Sequence, residues 1–500
     1  MKWFAVFVYV CIMVGVGYVS MKKTKTLSDF FLGDRAVGPW LSAFAYGTTY
    51  FSAVLFVGYA GKLGWGFGLS DLWIVAGNTA LGSFLAWKVL AKPTRSMTER
   101  LNVMTMPQFL SERYDSKAMK IVSAVIIFIF LVPYSAGVYM GLTYLFEKVF
   151  GIPYVYALLF MAGLTGIYLT MGGYLAVALN DFIQGVIMVF GAVALVFFIL
   201  KAPEVSGLAT GFAKLTAINP DLTRIVPSGT MNIVMLFSLV ILTSFGTWGM
   251  PQMVQKFYAI KNEESIKPAT IISTLFAAVI AFSAYFTGSL SRLFFDKLPI
   301  GVDGNPTPDL LMPMIMTKAL PELVVVIILL LVLSASMSTL ASLVLVSSSA
   351  ITVDLIQGVF KPDVNKKSLL TLSRVLSLVF IGVSVYLALK PRLILTLMAL
   401  SWGAVAGSFL APYVWGLFSK KVTNAGAWAG MLSGLGIMVV LSLIFDPKFI
   451  PIFGCLAMII PIAIVPLVSM FTEPFTQRHL LKVFGAEGLS VTPSRKSEVA

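Results

Sequence analysis

Apolar stretches long enough to cross a bilayer recur along this chain from its first residues to about residue 470. A spanning helix needs about 20 predominantly apolar residues. Such segments fall at about 3–20, 38–61, 70–91, 120–146, 153–173, 176–200, 229–254, 268–291, 322–350, 369–389, 393–418, 425–445 and 450–471. The expectation is an all-α membrane protein of about thirteen transmembrane helices, its main partner the lipid bilayer. Composition agrees, with 58% hydrophobic and 12% charged residues, against about 45–50% and about 25% in soluble domains. So few charges cannot solvate so large an apolar mass. A soluble enzyme, a disordered chain and a secreted disulfide scaffold are excluded.

Cys11 and Cys455 lie in apolar segments far apart, and they read as core residues. The single histidine, His479, sits in the polar tail without Cys or His neighbours, which argues against a histidine-based metal or acid–base site. The net charge of +14 includes no basic run with interleaved aromatics, so no nucleic-acid partner is expected. Lys and Arg instead follow the positive-inside rule. With the N-terminus outside and the C-terminus cytoplasmic, 24 of the 36 fall on the inner side. The first twenty residues carry no small-residue cleavage pattern and read as a retained helix. No extramembrane domain is long enough to be a receptor, and no obligatory protein partner is evident.

Breaks in apolar helices are where such a chain carries function. The second segment contains Ala45–Tyr46–Gly47–Thr48–Thr49–Tyr50–Phe51–Ser52, and the seventh contains Thr243–Ser244–Phe245–Gly246–Thr247–Trp248–Gly249–Met250–Pro251. Each opens a unit of five helices, and an odd count makes the two units antiparallel. Matched breaks in inverted halves point to a transporter's midplane site, although Gly and Thr also serve plain helix packing. The expected organisation is a first helix and loop (1–27), a core of two inverted five-helix repeats (28–418), two additional helices (419–472) and a cytoplasmic tail (473–500).

The ninth segment reads Leu333–Ser334–Ala335–Ser336–Met337–Ser338–Thr339–Leu340–Ala341–Ser342. Ser338, Thr339 and the Ala335 carbonyl can turn neutral oxygens to one spot. Opposite a break with freed carbonyls, that forms a nest for a small monovalent cation. Asp181 opens the sixth segment, either on an ion path or as a wetted acid at a helix N-terminus. Asp71 and Asp354 read as interfacial. No Lys or Arg is expected at mid-depth.

These residues resemble the sodium:solute symporter family. The segments that carry the resemblance are Ser28–Gly38 (SDFFLGDRAVG), with Asp34 where the family usually has glycine, Met171–Gly185 (MGGYLAVALNDFIQG) and Ala335–Gln357 (ASMSTLASLVLVSSSAITVDLIQ). The resemblance implies a leucine-transporter-type five-plus-five inverted repeat, and sodium-coupled import of a small organic solute by alternating access, with Na+ as the coupling ion. Its sodium site maps to Thr48, Phe51, Ala335, Ser338 and Thr339, with Asp181 as the acid of the sixth helix. For a second sodium, the chain offers Asp181 and Ser342 but has Ala341 where sialic acid carriers have serine. The solute is expected to touch Tyr50, Ser52, Thr243, Thr247 and Trp248, faced by Tyr134. Tyr50 replaces the acidic residue of proline carriers, and Thr49–Ser52 with Leu179–Asp181 looks more like pantothenate carriers. Both solutes bear a carboxylate. The alternative is a proton-coupled carrier of the same fold, with Asp181 accepting the proton.

Overall fold

The computed structural model describes residues 1–21, 31–171, 174–301, 304–390 and 393–485. Ser28–Phe30 of the first family segment, the Gly172 connection and the tail beyond 485 lie outside the described residues.

Helices occupy every predicted apolar segment. They are α1 (Lys2–Met21), α2a (Pro39–Tyr50) with α2b (Val54–Phe67), α3 (Leu72–Arg100), α4 (Lys117–Phe150), α5 (Tyr154–Met171) and α6 (Tyr174–Lys201). Then come α7a (Thr230–Gly249) with α7b (Pro251–Ala259), α8 (Ile266–Ser289), α9 (Glu322–Phe360), α10 (Lys366–Ala388), α11 (Ile394–Phe418), α12 (Asn424–Ile444) and α13 (Ile450–Ser469). Among the described residues, 11 helical stretches are long and apolar enough to cross a membrane. That is fewer than expected because α2b runs on into α3 and because α5 ranks among the shorter apolar helices.

Several helices outrun their predicted ends. α3 continues to Arg100 on a polar turn, and α9 continues to Phe360 through widened π-type turns. Both acids read as interfacial are fully buried. Asp71 accepts a bond from Ser289 Oγ at 2.8 Å, and Asp354 accepts one from Thr105 Oγ1 at 2.7 Å. Both carboxylates meet hydroxyls of other segments of the chain. Asp309 is likewise buried and accepts the Ile394 backbone N–H at 3.0 Å, placing a carboxylate on the N-terminus of α11.

The core forms where α2a lies against α6, α8 and α9, while α11 packs on α4 and α7a, with α12 and α13 behind it. Small residues set the closest approaches. A Cβ at Gly64 of α2b would lie 2.0 Å from the Gly288 carbonyl carbon of α8, so neither backbone can yield. Beyond α2a, Arg35 donates to the carbonyls of Val103 (2.6 Å), Thr98 and Tyr258, and the Lys261 N–H reaches the Val37 carbonyl at 2.9 Å. These bonds tie the start of α2 to the end of α7b.

The α2b–α8 contact yields a paired prediction. Gly64→Val forces two backbones apart and should cost at least the roughly 1–3 kcal/mol of overpacking, lowering the melting temperature in detergent. Gly66→Ala meets nothing within 4 Å and should leave it unchanged.

Candidate functional site

The break in α2 begins where Phe51 turns extended (φ −109°, ψ 117°) after its N–H has closed the last helical bond, onto the Gly47 carbonyl at 3.2 Å. The carbonyls of Thr48 and Thr49 thereby lose their helical partners. In a dry interior they must find others. Two hydroxyls of α9 meet them. Ser338 Oγ donates to the Thr48 carbonyl at 2.8 Å, and Thr339 Oγ1 lies 3.2 Å from the Thr48 carbonyl, 3.3 Å from that of Thr49 and 3.0 Å from that of Ala335. All of these residues are buried, and Thr48 Oγ1 has no partner of its own. The result is a pocket of neutral oxygens, the donor set suited to a small monovalent cation. Phe51 is buried beside it with its ring stacked on Tyr50, centroids 4.3 Å apart.

Across the break, the second half of α2 restarts with Ser52, whose Oγ accepts the Val54 N–H at 3.2 Å. Here a cavity of about 20 Å³ is lined by Tyr50, Phe51, Ser52, Thr243 and further residues of α2b, α3, α8 and α11. That is room for about one water. A solute can enter only if the walls move. Tyr50 Oη donates to the Thr243 carbonyl at 2.8 Å, which links the broken second helix to the seventh. Thr243 Oγ1 is 2.9 Å from Asn78 Oδ1.

The other three residues expected to touch solute do not line this cavity. Tyr134 is buried behind it, edge-on to Trp402 at 6.0 Å, with its hydroxyl near Ser52 but short of a full hydrogen bond. Thr247 Oγ1 is committed to the Gly82 and Ser244 carbonyls at 3.1 and 2.9 Å. Trp248 is turned to α3, donating Nε1–H to the Leu81 carbonyl at 3.0 Å. The reason is where α7 breaks. It stays helical through Gly249 and opens only at Met250, because Pro251 has no N–H to bond the Thr247 carbonyl. Thr247 and Trp248 thus remain on regular helix.

Asn78, Tyr59, Tyr285 and Met398 line the cavity but were not singled out beforehand. Asn78 did carry a signal, as a lone amide within the apolar run Trp73–Leu81.

Lys256 also departs from expectation. The count of inner charges placed it in a loop, but it lies on α7b and is 1% exposed. Its Nζ is 3.9 Å from Asp181 Oδ2, 3.1 Å from Ser342 Oγ and 5.1 Å from the Tyr174 ring centre. Ser342 Oγ is also 2.9 Å from Thr49 Oγ1. A buried cation at depth therefore exists, and Asp181 is not a wetted terminus acid but is fully buried. The signal that marked α7b was Pro251, a favoured first helical residue, which opens a nine-residue helix that carries Lys256 inward.

The sodium:solute symporter family model matches residues 30–434. The osmoregulated proline transporter OpuE of Bacillus subtilis is 30% identical over 437 residues, covering 87% of each chain. A sodium/proline symporter of Staphylococcus aureus is 31% identical over 442 residues, covering 87% of this chain and 84% of its own. Among solved structures, a Na+-coupled sialic acid symporter in a substrate-bound outward-open state superposes with a TM-score of 0.76 at 19% identity, over 95% of this chain and 98% of that one. MhsT in complex with L-phenylalanine gives 0.51 at 14% identity, over 86% and 98%. These likenesses show the leucine-transporter-type fold. The chain belongs to the sodium:solute symporter family, a membrane transporter and not an enzyme, coupling solute symport to Na+ by alternating access.

Proposed function

We propose that this protein carries proline, or a compact solute of similar charge, into the cell across the plasma membrane, with Na+ held between the α2 break and α9. The observation that carries this reading is the shared break. Thr48, whose carbonyl meets Ser338 and Thr339, is two residues from Tyr50 and four from Ser52 on the cavity wall. An ion at Thr48, Phe51, Ala335, Ser338 and Thr339 would act directly on the backbone that shapes the solute cavity.

The coupling follows from hydrogen-bond chemistry. Without an ion, the Ser338 and Thr339 hydroxyls point their protons at backbone carbonyls. A cation seated between these oxygens takes lone pairs from the hydroxyls and the carbonyls alike, so the hydroxyl protons must turn aside from the Thr48 carbonyl. The ion-bound and ion-free breaks are then two different arrangements, and a solute that prefers one is linked to Na+. The proline-transporter relatives favour proline over the longer pantothenate. No Lys or Arg lines that cavity, so a carboxylate would be met by the Tyr50 and Ser52 hydroxyls and the positive end of α2b. The excess of Lys and Arg on alternate connections supports an external N-terminus and a cytoplasmic C-terminus.

Four outcomes follow in proteoliposomes loaded against an inward Na+ gradient. Labelled proline should accumulate with Na+ and not with an equal K+ gradient; accumulation driven by a proton gradient alone would contradict the reading. Thr339→Ala removes one ligand oxygen at little cost in volume. Losing about 1–3 kcal/mol of a buried polar contact should raise the Na+ concentration for half-maximal uptake by roughly 5- to 150-fold. Thr243→Val should raise the solute KM several-fold and leave the Na+ requirement nearly intact. Trp248→Phe, outside the cavity, should change neither.

A further inference from the structure

One turn along α9 from Ser338 and Thr339, a second polar corner joins α2a, α6, α7b and α9. It holds Thr49, Asp181, Lys256 and Ser342, all at most 1% exposed. Asp181 is the negative charge of the corner, and neither of its oxygens has a hydrogen-bond partner. Charge and oxygen content alone would suit a monovalent cation: one carboxylate and two hydroxyls, with the Thr49 and Ser342 hydroxyls 2.9 Å apart. The cation present is covalent. Lys256 Nζ lies 3.1 Å from Ser342 Oγ, and its 3.9 Å approach to Asp181 Oδ2 is that of a loose ion pair. The face of the Tyr174 ring flanks the ammonium at 5.1 Å.

We infer that the Lys256 ammonium is a tethered substitute for a second coupling cation, so that the transporter binds a single Na+, at the α2 break. The inference rests on the proposed Na+ site for that single ion. A dry site tolerates a charge only when it is compensated. With Lys256 in place, Asp181 is neutralised, and an added Na+ would bring an uncompensated positive charge into a sealed corner. Without Lys256, the buried carboxylate would lack any counter-charge, and Na+ from solution could supply it with Thr49 and Ser342 as further ligands. Lys256 sits on α7b, while the hydroxyls and the carboxylate sit on α2a, α9 and α6. The tether therefore also links the second half of the broken seventh helix to the helices around the Na+ site.

The test is equilibrium binding of radioactive Na+ to the purified full-length protein, with no solute present. Wild type should bind one Na+ per chain. Lys256→Met, similar in length but neutral, should bind two. Lys256→Met with Asp181→Asn removes both charges and should return to one. Lys256→Arg should stay at one. Two Na+ bound by wild type would overturn the inference, as would one Na+ in a folded Lys256→Met protein. If Lys256→Met fails to fold, the wild-type count decides together with the charge-free double variant, where two ions would also overturn the inference. Thr339→Ala separates the two readings. If it leaves the wild-type count and affinity unchanged, the assignment of the ion to the α2 break fails, whatever Lys256 does.

Discussion

A backbone carbonyl released from its helix in the middle of a membrane protein has no water to turn to, and an unmet one costs several kcal/mol. This constraint organises the structure around α2. By turning extended at Phe51, the chain frees the carbonyls of Thr48 and Thr49. The hydroxyls of Ser338 and Thr339 are the groups that satisfy them. They require α9 to run alongside α2a, and α9 is held in turn against α6. In the proposed mechanism those hydroxyls are also the groups that exchange the carbonyls for an ion. The break is tolerable because it is bonded, and in that proposal it switches because the bonds are to rotatable hydroxyls and not to fixed N–H groups.

The second broken helix solves the same problem differently. Met250 turns extended as Phe51 does, but the next residue is Pro251, which has no N–H to lose, and α7a stays regular up to Gly249. The Thr243 carbonyl, still within the helix, accepts an additional bond from Tyr50 Oη. Through that bond the two broken helices share one cavity wall. Trp402 of α11 lies over it, stacked on Tyr50 at 6.2 Å, and a Cβ at Gly246 would come within 2.2 Å of the Trp402 ring. A glycine there is a requirement of the aromatic packing.

Apolar length made the helices legible in the sequence, because the bilayer imposes the same demand on each of them. The oxygen nest was legible for a related reason: five hydroxyls among residues 334–342 exceed what packing needs, and the matching break was marked by Gly47 and two threonines. What could not be read was side-chain direction. Trp248 and Thr247 are next to a break in sequence, yet the helix persists through them and turns them onto α3. Lys256 was misplaced because a lysine near a predicted helix end ordinarily belongs to water. Only the fold shows that Pro251 restarts a helix and delivers the ammonium to Asp181. Asp71 and Asp354 follow the same pattern, since burial at a helix end depends on neighbours distant in sequence.

The most direct test of the account is an experimental structure determined with Na+ and solute, beside one determined in K+ alone, at a resolution that separates ion from water. The account predicts a single Na+ bounded by the Thr48 and Ala335 carbonyls and the Ser338 and Thr339 hydroxyls, present only in the first structure. It also predicts the hydroxyl protons turned aside from the Thr48 carbonyl they bond here. An ion located elsewhere, with Ser338 and Thr339 still donating to the Thr48 carbonyl while solute is bound, would contradict it.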